Sequence, residues 1–334
     1  MKYSVTFLPM NDFMLFMYRI TNAGREEVDD RLKSIIQNNN VEKWLRDVNA
    51  TLPQATIDEL RVFFQEDSRI ALSIMPELYQ RDALTSVDQL IDAINELDEH
   101  AIRYAITTPG FIGEGLEFET HEKRIQQLAV PESEKWKLLY FVDHIDELKR
   151  RLTALFHDVW TYYAPHQALI NEAGNEAKQT FQKEEYRQFA TELAEEYVNE
   201  GGDKSLVVMP SYSSNLGFSV MEQDNVVLLT VGMQRYHVIR KFHDDKEVLE
   251  LLKILTDERR FQMLRLLKKR PHYGYEIAQA LGVSNSTVSH HLSLLLNLGF
   301  VKSDRDENKV YYTLNQAELR QVVEALNQLF LGDE

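Results

Sequence analysis

The chain has 334 residues, a formal net charge of −16 and no cysteine, so disulfides and thiolate metal ligands are excluded. Its 44% hydrophobic and 27% charged residues exclude a disordered chain, and the length calls for two cores. No apolar run reaches the roughly 18 residues of a membrane span, and the opening MKYSVTF has no secretory pattern. The expected location is therefore cytoplasmic, with no membrane partner.

The first expected element is a strand, Lys2 to Leu8, in which Tyr3, Val5 and Phe7 alternate with Ser4 and Thr6 before Pro9. A helix is expected from Met10 to Thr21 and another through Trp44 and Leu45, with Asn38 to Asn40 as a polar break. Thr56 with Glu59 fits a capping box opening the next helix, the hydroxyl and the carboxylate each satisfying an orphan amide. Ser86 to Leu97 carries Val87, Leu90, Ile91, Ile94 and Leu97 on one face. The loop Thr107 to Gly115 is rich in glycine, but it lacks the spacing that cradles phosphate. Helical periodicity returns from Glu132 to Tyr163 and from Asn175 to Asn199, and Gly201 and Gly202 end it. Three strands are expected at Ser205–Met209, Leu216–Met221 and Val226–Val231, able to pair with the first one.

Three features of this half bear on chemistry. The aromatic residues Trp136, Tyr140, Phe141, Phe156, Trp160, Tyr162 and Tyr163 either line a pocket for an apolar ligand or pack the core. His144, His157 and His166 lie near several aspartates, but not at the i, i+4 spacing of a helical metal pair. Ser211, Ser213 and Ser214 lack the Gly-x-Ser-x-Gly elbow that exposes a nucleophile, so no catalytic residue is expected.

Past Phe242 to Asp245 the pattern changes. Glu247–Leu255 and Asp257–Leu267 read as two scaffold helices, and Tyr275–Leu281 as a third. Gly282 supplies a left-handed turn, and Ser284 caps a fourth helix. On that helix Val288, Leu292, Leu295 and Leu296 form one face. Asn285, Ser286, Ser289, His290 and Ser293 form the other, with the short donors and acceptors that suit base edges and phosphates rather than the long charges that usually solvate a helix. Phe300–Ser303 and Lys309–Leu314 then read as a β-hairpin wing whose tip carries Arg305 and Lys309, either cations for a phosphate or a minor groove or, diluted by Asp304, Asp306 and Glu307, part of a solvated tip. From Thr256 to Thr313 nine Lys and Arg stand against six Asp and Glu, a local charge of +3 in an acidic chain. Phosphate neutralisation drives non-specific DNA affinity, so a module this weakly basic is not expected to hold arbitrary DNA tightly.

This segment resembles the ArsR family of winged-helix regulators. The resemblance rests on Leu255-Thr256-Asp257-Glu258-Arg259-Arg260, Ser286-Thr287-Val288-Ser289-His290-His291-Leu292, Gly299-Phe300-Val301 and Tyr311-Tyr312-Thr313-Leu314, and it covers roughly residues 246 to 330. It implies a homodimer whose recognition helices enter successive major grooves of a palindromic operator. Gln316–Phe330 would then be a terminal helix in the dimer interface. The paired cysteines of the metal-sensing members are absent, Gly274-Tyr275-Glu276 standing there, and the terminal helix has no His. Neither a metal nor a cofactor is expected. The N-terminal region also looks like an extension found on some members, through Phe7-Leu8-Pro9, Ile74-Met75-Pro76 and Val207-Val208-Met209-Pro210-Ser211.

The expected fold is α+β and mostly helical. Residues 1–243 form a helical domain with a small antiparallel sheet, for effector sensing or dimerisation, and residues 244–334 a winged helix-turn-helix. The expected function is sequence-specific binding of double-stranded DNA by a homodimeric repressor, not an enzyme, with a small-molecule effector as a further partner. The expected DNA contacts are Ser284, Asn285, Ser286, Thr287, Ser289, His290, Ser293, Arg305 and Lys309. Two alternatives stay open: an acidic first domain that binds another protein, or a ligand-binding or catalytic first domain whose winged module serves assembly.

Overall fold

The structure, a computed structural model, describes residues 2–22, 40–79, 84–107, 120–128, 130–195, 198, 204–223, 225–235, 245–306 and 309–331. Those up to Met233 form one compact unit and those from Gln234 onward a second. Among the described residues no helix is long and apolar enough to cross a membrane. The expected α+β, mostly helical class with a C-terminal winged helix holds, with one correction to the sheet given below.

The N-terminal unit opens with β1 (Lys2–Val5) and α1 (Pro9–Thr21). Pro9 stands in the first turn of α1, where its missing N–H is no loss, so the helix starts one residue before the expected Met10. Helices α2 (Asn40–Thr51), α3 (Gln54–Phe64), α4 (Ile70–Ser73), α5 (Met75–Tyr79), α6 (Val87–Glu96) and α7 (Glu99–Thr107) follow. The capping box at Thr56 is not found. Pro53 is the N-cap of α3, its restricted φ starting the helix earlier, which places Thr56 in the first turn and buries it. Glu59 instead accepts two hydrogen bonds of 2.7 Å from Arg151. Ser86 caps α6, its hydroxyl accepting the amide of Gln89. Thr107 ends α7, and the rest of the glycine-rich loop lies outside the described residues.

Then come α8 (His121–Gln127), α9 (Glu132–Asp143), α10 (Ile145–Tyr163), α11 (Gln167–Thr180) and α12 (Glu184–Glu195). The periodicity from Glu132 to Tyr163 is thus two helices, parted at His144, whose φ of −128° and ψ of 55° leave the helical region. Gly201 and Gly202 lie outside the described residues.

Strands β2 (Ser205–Ser211), β3 (Phe218–Gln223) and β4 (Val226–Gly232) complete a sheet of order β1-β2-β4-β3. It is mixed, not antiparallel: β1 runs parallel to β2 and β2 parallel to β4, and only β3 and β4 form an antiparallel hairpin. A tight turn can join only antiparallel neighbours, whereas the long helical excursion between β1 and β2 permits a parallel crossover. The buried runs Leu206–Met209 and Val227–Leu229 agree with this, because inner strands covered on both faces lose polar alternation.

The core is centred on α1, which is buried along most of its length. Phe13 meets Trp160 and Tyr163 at centroid distances of 5.1 Å, and Phe16 stacks on Trp44 at 4.5 Å. A polar knot crosses this core. The Asp12 carboxylate accepts hydrogen bonds from the hydroxyls of Ser211 (2.7 Å), Ser213 (2.7 Å) and Tyr163 (3.0 Å) and from the Ser213 amide (3.0 Å). Beside it, buried Arg19 donates to the Ser214 carbonyl at 3.0 Å and to Glu42 at 2.7 Å, and Asn215 donates to the same Glu42 oxygen. The loop after β2 is thereby fixed to α1 and α2. Asn215 is left-handed at φ 50°, and a Cβ at Gly232 would overlap its carbonyl.

The second unit contains α13 (Asp245–Leu255), α14 (Glu258–Leu267), β5 (His272–Tyr273), α15 (Gly274–Leu281), α16 (Asn285–Asn297), β6 (Val301–Asp306), β7 (Lys309–Leu314) and α17 (Gln316–Leu331). The wing is a three-stranded sheet of order β5-β7-β6. Its third strand, two residues long, is too short to show alternation in sequence.

Candidate nucleic-acid interface

The turn between α15 and α16 is built by its backbone. Gly282 takes φ 64°, a left-handed conformation that a Cβ disfavours. Its amide and that of Val283 satisfy the carbonyls of Gln279 and Ala278, closing α15 with a Schellman motif. Ser284 then accepts the amide of Thr287 at 3.1 Å and caps α16. Its oxygen also lies 2.8 Å from the hydroxyls of Ser286 and Thr287, so three short polar side chains cluster at the helix N-terminus.

Along α16 the expected division of faces is present. Val288, Leu292 and Leu295 are buried, with Leu294 and Leu298 in addition, and Leu296 is half-buried. Asn285, Ser286, Ser289 and His290 are exposed with Ser284, whereas Thr287 and Ser293 are half-buried. Seven of the nine candidate contacts thus lie on one helix and its cap. Arg305 and Lys309 belong to the paired strands of the wing, and their side chains lie outside the described ones.

Not every cation of the module faces outward. Arg260, counted among its basic residues, is 2% exposed; its Nε donates to the Ile254 carbonyl at 2.7 Å. One guanidinium nitrogen stands 3.6 Å from Asp257 and another 3.5 Å from Nδ1 of His291 on α16. Arg260 therefore ties α14 to the end of α13 and to the underside of α16, and it is unavailable to a phosphate. Arg270 pairs with Glu276, whose carboxyl that hydrogen bond holds below its usual range. Arg259, Arg265, Lys268 and Lys269 on α14 and just beyond it are exposed, Arg259 donating to the Leu281 carbonyl at 3.3 Å.

Sequence reasoning missed this role of Arg260, since one of three arginines in a polar helix reads as solvated. It also missed a tyrosine cluster, Tyr275 stacking on Tyr273 at 6.3 Å and Tyr311 meeting Tyr273 edge-on at 5.8 Å. The cluster depends on the pairing of β5 with β7.

Asp257 carries a pH dependence. Burial raises its carboxyl, but the amide and guanidinium of Arg260, with His291 beyond, more than reverse this, so it titrates below the ordinary aspartate range. A carboxyl depressed by folding contributes stability above its unfolded pKa and loses it as pH falls through the folded one. The winged unit is expected to weaken below about pH 4. Asp257→Asn, which can still cap α14, is expected to flatten that part of an acid-melting curve; an unchanged curve would remove Asp257 from the account.

Residues 257–303 match the model of the bacterial regulatory protein arsR family. The transcriptional activator HlyU of Vibrio cholerae is 34% identical over 80 residues, 24% of this chain and 74% of that protein. The chain belongs to the ArsR family. The arsenical resistance operon repressor of Staphylococcus aureus is 34% identical over 82 residues, 25% of this chain and 79% of that protein. A biofilm growth-associated repressor of Xylella fastidiosa is 29% identical over 102 residues, 30% of this chain and 90% of that protein. A solved structure of HlyU from Vibrio cholerae aligns at 30% identity over 27% of this chain and 98% of that one, with a TM-score of 0.22.

The chemical candidates of the N-terminal unit resolve differently. The hydroxyls of Ser211 and Ser213 donate to Asp12 and knit the core. His144 stacks on Tyr140 at 4.3 Å and His166 lies against Trp44 at 4.6 Å. Among the described residues no group of three or more His, Asp or Glu is poised to hold a metal. Phe141, Phe156 and Tyr163 are buried in the core, whereas Trp136 and Tyr140 are exposed.

Proposed function

We infer that this ArsR-family regulator is a repressor that reads a palindromic operator as a homodimer through α16 and the wing. The observation that carries this reading is α16 itself. A buried apolar underside holds the helix in place while a capped N-terminus and five exposed short polar or imidazole side chains face outward. Such groups form hydrogen bonds to base edges when a helix lies in the major groove. The surrounding exposed cations of α14 would position the module on phosphates, and their small number makes affinity depend on correct base contacts.

The dimer draws support from α17, where Val322 is buried but Val323, Leu329, Phe330 and Leu331 are exposed, Phe330 at 72%. Leu249 on α13, which packs beside α17, is exposed as well. Contiguous exposed apolar side chains at a helix end favour association over solvation. A domain boundary at residues 243/244 belongs to the same reading, with the N-terminal unit supplying the input that shifts DNA affinity.

The test is an electrophoretic mobility shift with DNA from upstream of the chain's own gene, across salt concentrations. Two or more phosphate contacts predict at least about a tenfold loss of affinity between about 50 and 200 mM salt. No shift at any salt with that DNA or with a randomised pool would overturn the reading.

A further inference from the structure

Five of the chain's nine methionines, Met10, Met14, Met75, Met209 and Met221, line a single cavity of about 460 Å³ in the N-terminal unit. It lies between one face of the sheet and helices α1, α5 and α6. Strand register explains how the sheet contributes: Leu228 sits opposite Met221 on β3 and opposite Val207 on β2, and Met209 follows Val207 by two, so these side chains share a face. The volume falls within the range of small-molecule sites, about 300 to 1,000 Å³. Methionine thioethers are flexible and polarisable, and walls made of them suit an occupant whose shape varies.

Among the described residues three polar groups interrupt the wall, from Thr6, Asn11 and Tyr79, and none that lines it is charged. Asn11 is the informative one. It is 6% exposed, and the hydrogen bond its amide makes among the described residues runs to the Sδ of Met209, at 3.9 Å. A thioether is a weak acceptor, so the amide has capacity for a stronger one. Tyr79 lies half-buried at the cavity, and burial raises its phenol above the ordinary range, so it stays a neutral donor. Against these described residues a charged ligand would have no counter-charge, and its burial would carry a high cost.

We propose that this methionine-lined cavity binds an uncharged apolar molecule bearing a carbonyl or hydroxyl oxygen, which accepts a hydrogen bond from Asn11. As the input of the regulator the site rests on the DNA-binding reading above; as a binding site it does not.

The full chain is titrated without DNA, using Nile red, a neutral apolar dye with a carbonyl group, and methionines carrying ¹³C-methyl labels. Saturable 1:1 binding is expected. Shifts should be largest at Met10, Met14, Met75, Met209 and Met221, with Met263 of the winged unit unmoved. Met221→Trp fills the half-buried rim and is expected to weaken binding by more than about tenfold. Asn11→Leu should cost about threefold to tenfold. The anionic dye 1-anilinonaphthalene-8-sulfonate should not displace Nile red. Should either variant fail to fold, the methyl shifts of the unsubstituted chain decide. Non-saturable binding, or shifts centred on Met263, overturns the site. A chain that binds Nile red saturably but shifts no DNA keeps the cavity and loses the regulator reading; the converse keeps the regulator and loses the cavity.

Discussion

Asp12→Ala is expected to lower the stability of the N-terminal unit by about 2–6 kcal/mol, the sum of two buried donors left without an acceptor at about 1–3 kcal/mol each. The carboxylate is 1% exposed and receives four hydrogen bonds, from Ser211, Tyr163 and twice from Ser213. Burial, followed by the adjacent Asp12 charge, holds the Tyr163 phenol well above its ordinary range, so it remains a donor. Removing the carboxylate leaves the Ser211 and Ser213 donors without this acceptor, while Tyr163 keeps only a long 3.5 Å contact to the Pro9 carbonyl. Asp12→Asn keeps one carbonyl acceptor and should fall between alanine and the unsubstituted chain. Trp44, Trp136 and Trp160, the chain's three tryptophans, all lie in the N-terminal unit, so tryptophan fluorescence during urea unfolding isolates its transition. An unshifted midpoint for Asp12→Ala would show that the knot does not hold the loop after β2 in place.

Ser289→Ala combined with His290→Ala is expected to weaken operator binding by at least about 30-fold, because a specific base contact contributes about 1–3 kcal/mol and two are lost. Both residues are exposed on α16, and alanine is a better helix former than either, so stability should change by less than about 1 kcal/mol. Leu292→Ala is the complementary control. It lies beneath the same helix at 2% exposure and should cost about 2–5 kcal/mol of stability. Retained operator affinity in the double variant, with melting unchanged, would remove Ser289 and His290 from the contact surface. Loss of affinity together with a lowered melting temperature would assign them to packing instead.

The two halves of the chain differed in how much could be read in advance. For the turn and α16 of the winged unit local chemistry sufficed: Gly282 needed a left-handed backbone, Ser284 offered an acceptor to the first free amides, and apolar residues at helical spacing set which side of α16 is buried. Each signal acts within about one helical turn, and the observed elements follow them closely. In the N-terminal unit the helices were legible from their periodicity, but Thr56 was overruled by Pro53, a neighbour with a stronger effect on the backbone.

Long-range pairing decided the rest. Parallel alignment of β1 with β2 joins residues about 200 positions apart, and no local pattern encodes such a partner. The same holds for Asp12, whose acceptor role exists only once the loop after β2 closes over it. Arg260 became a buried tie only when α13, α14 and α16 came together. The methionines of the cavity are scattered from Met10 to Met221 and become one wall only through strand register and helix packing. Helix ends, turns and faces were thus determined by the sequence within short reach, while the polar knot and the cavity depend on contacts between distant segments, whose strength depends on burial that only the assembled core provides.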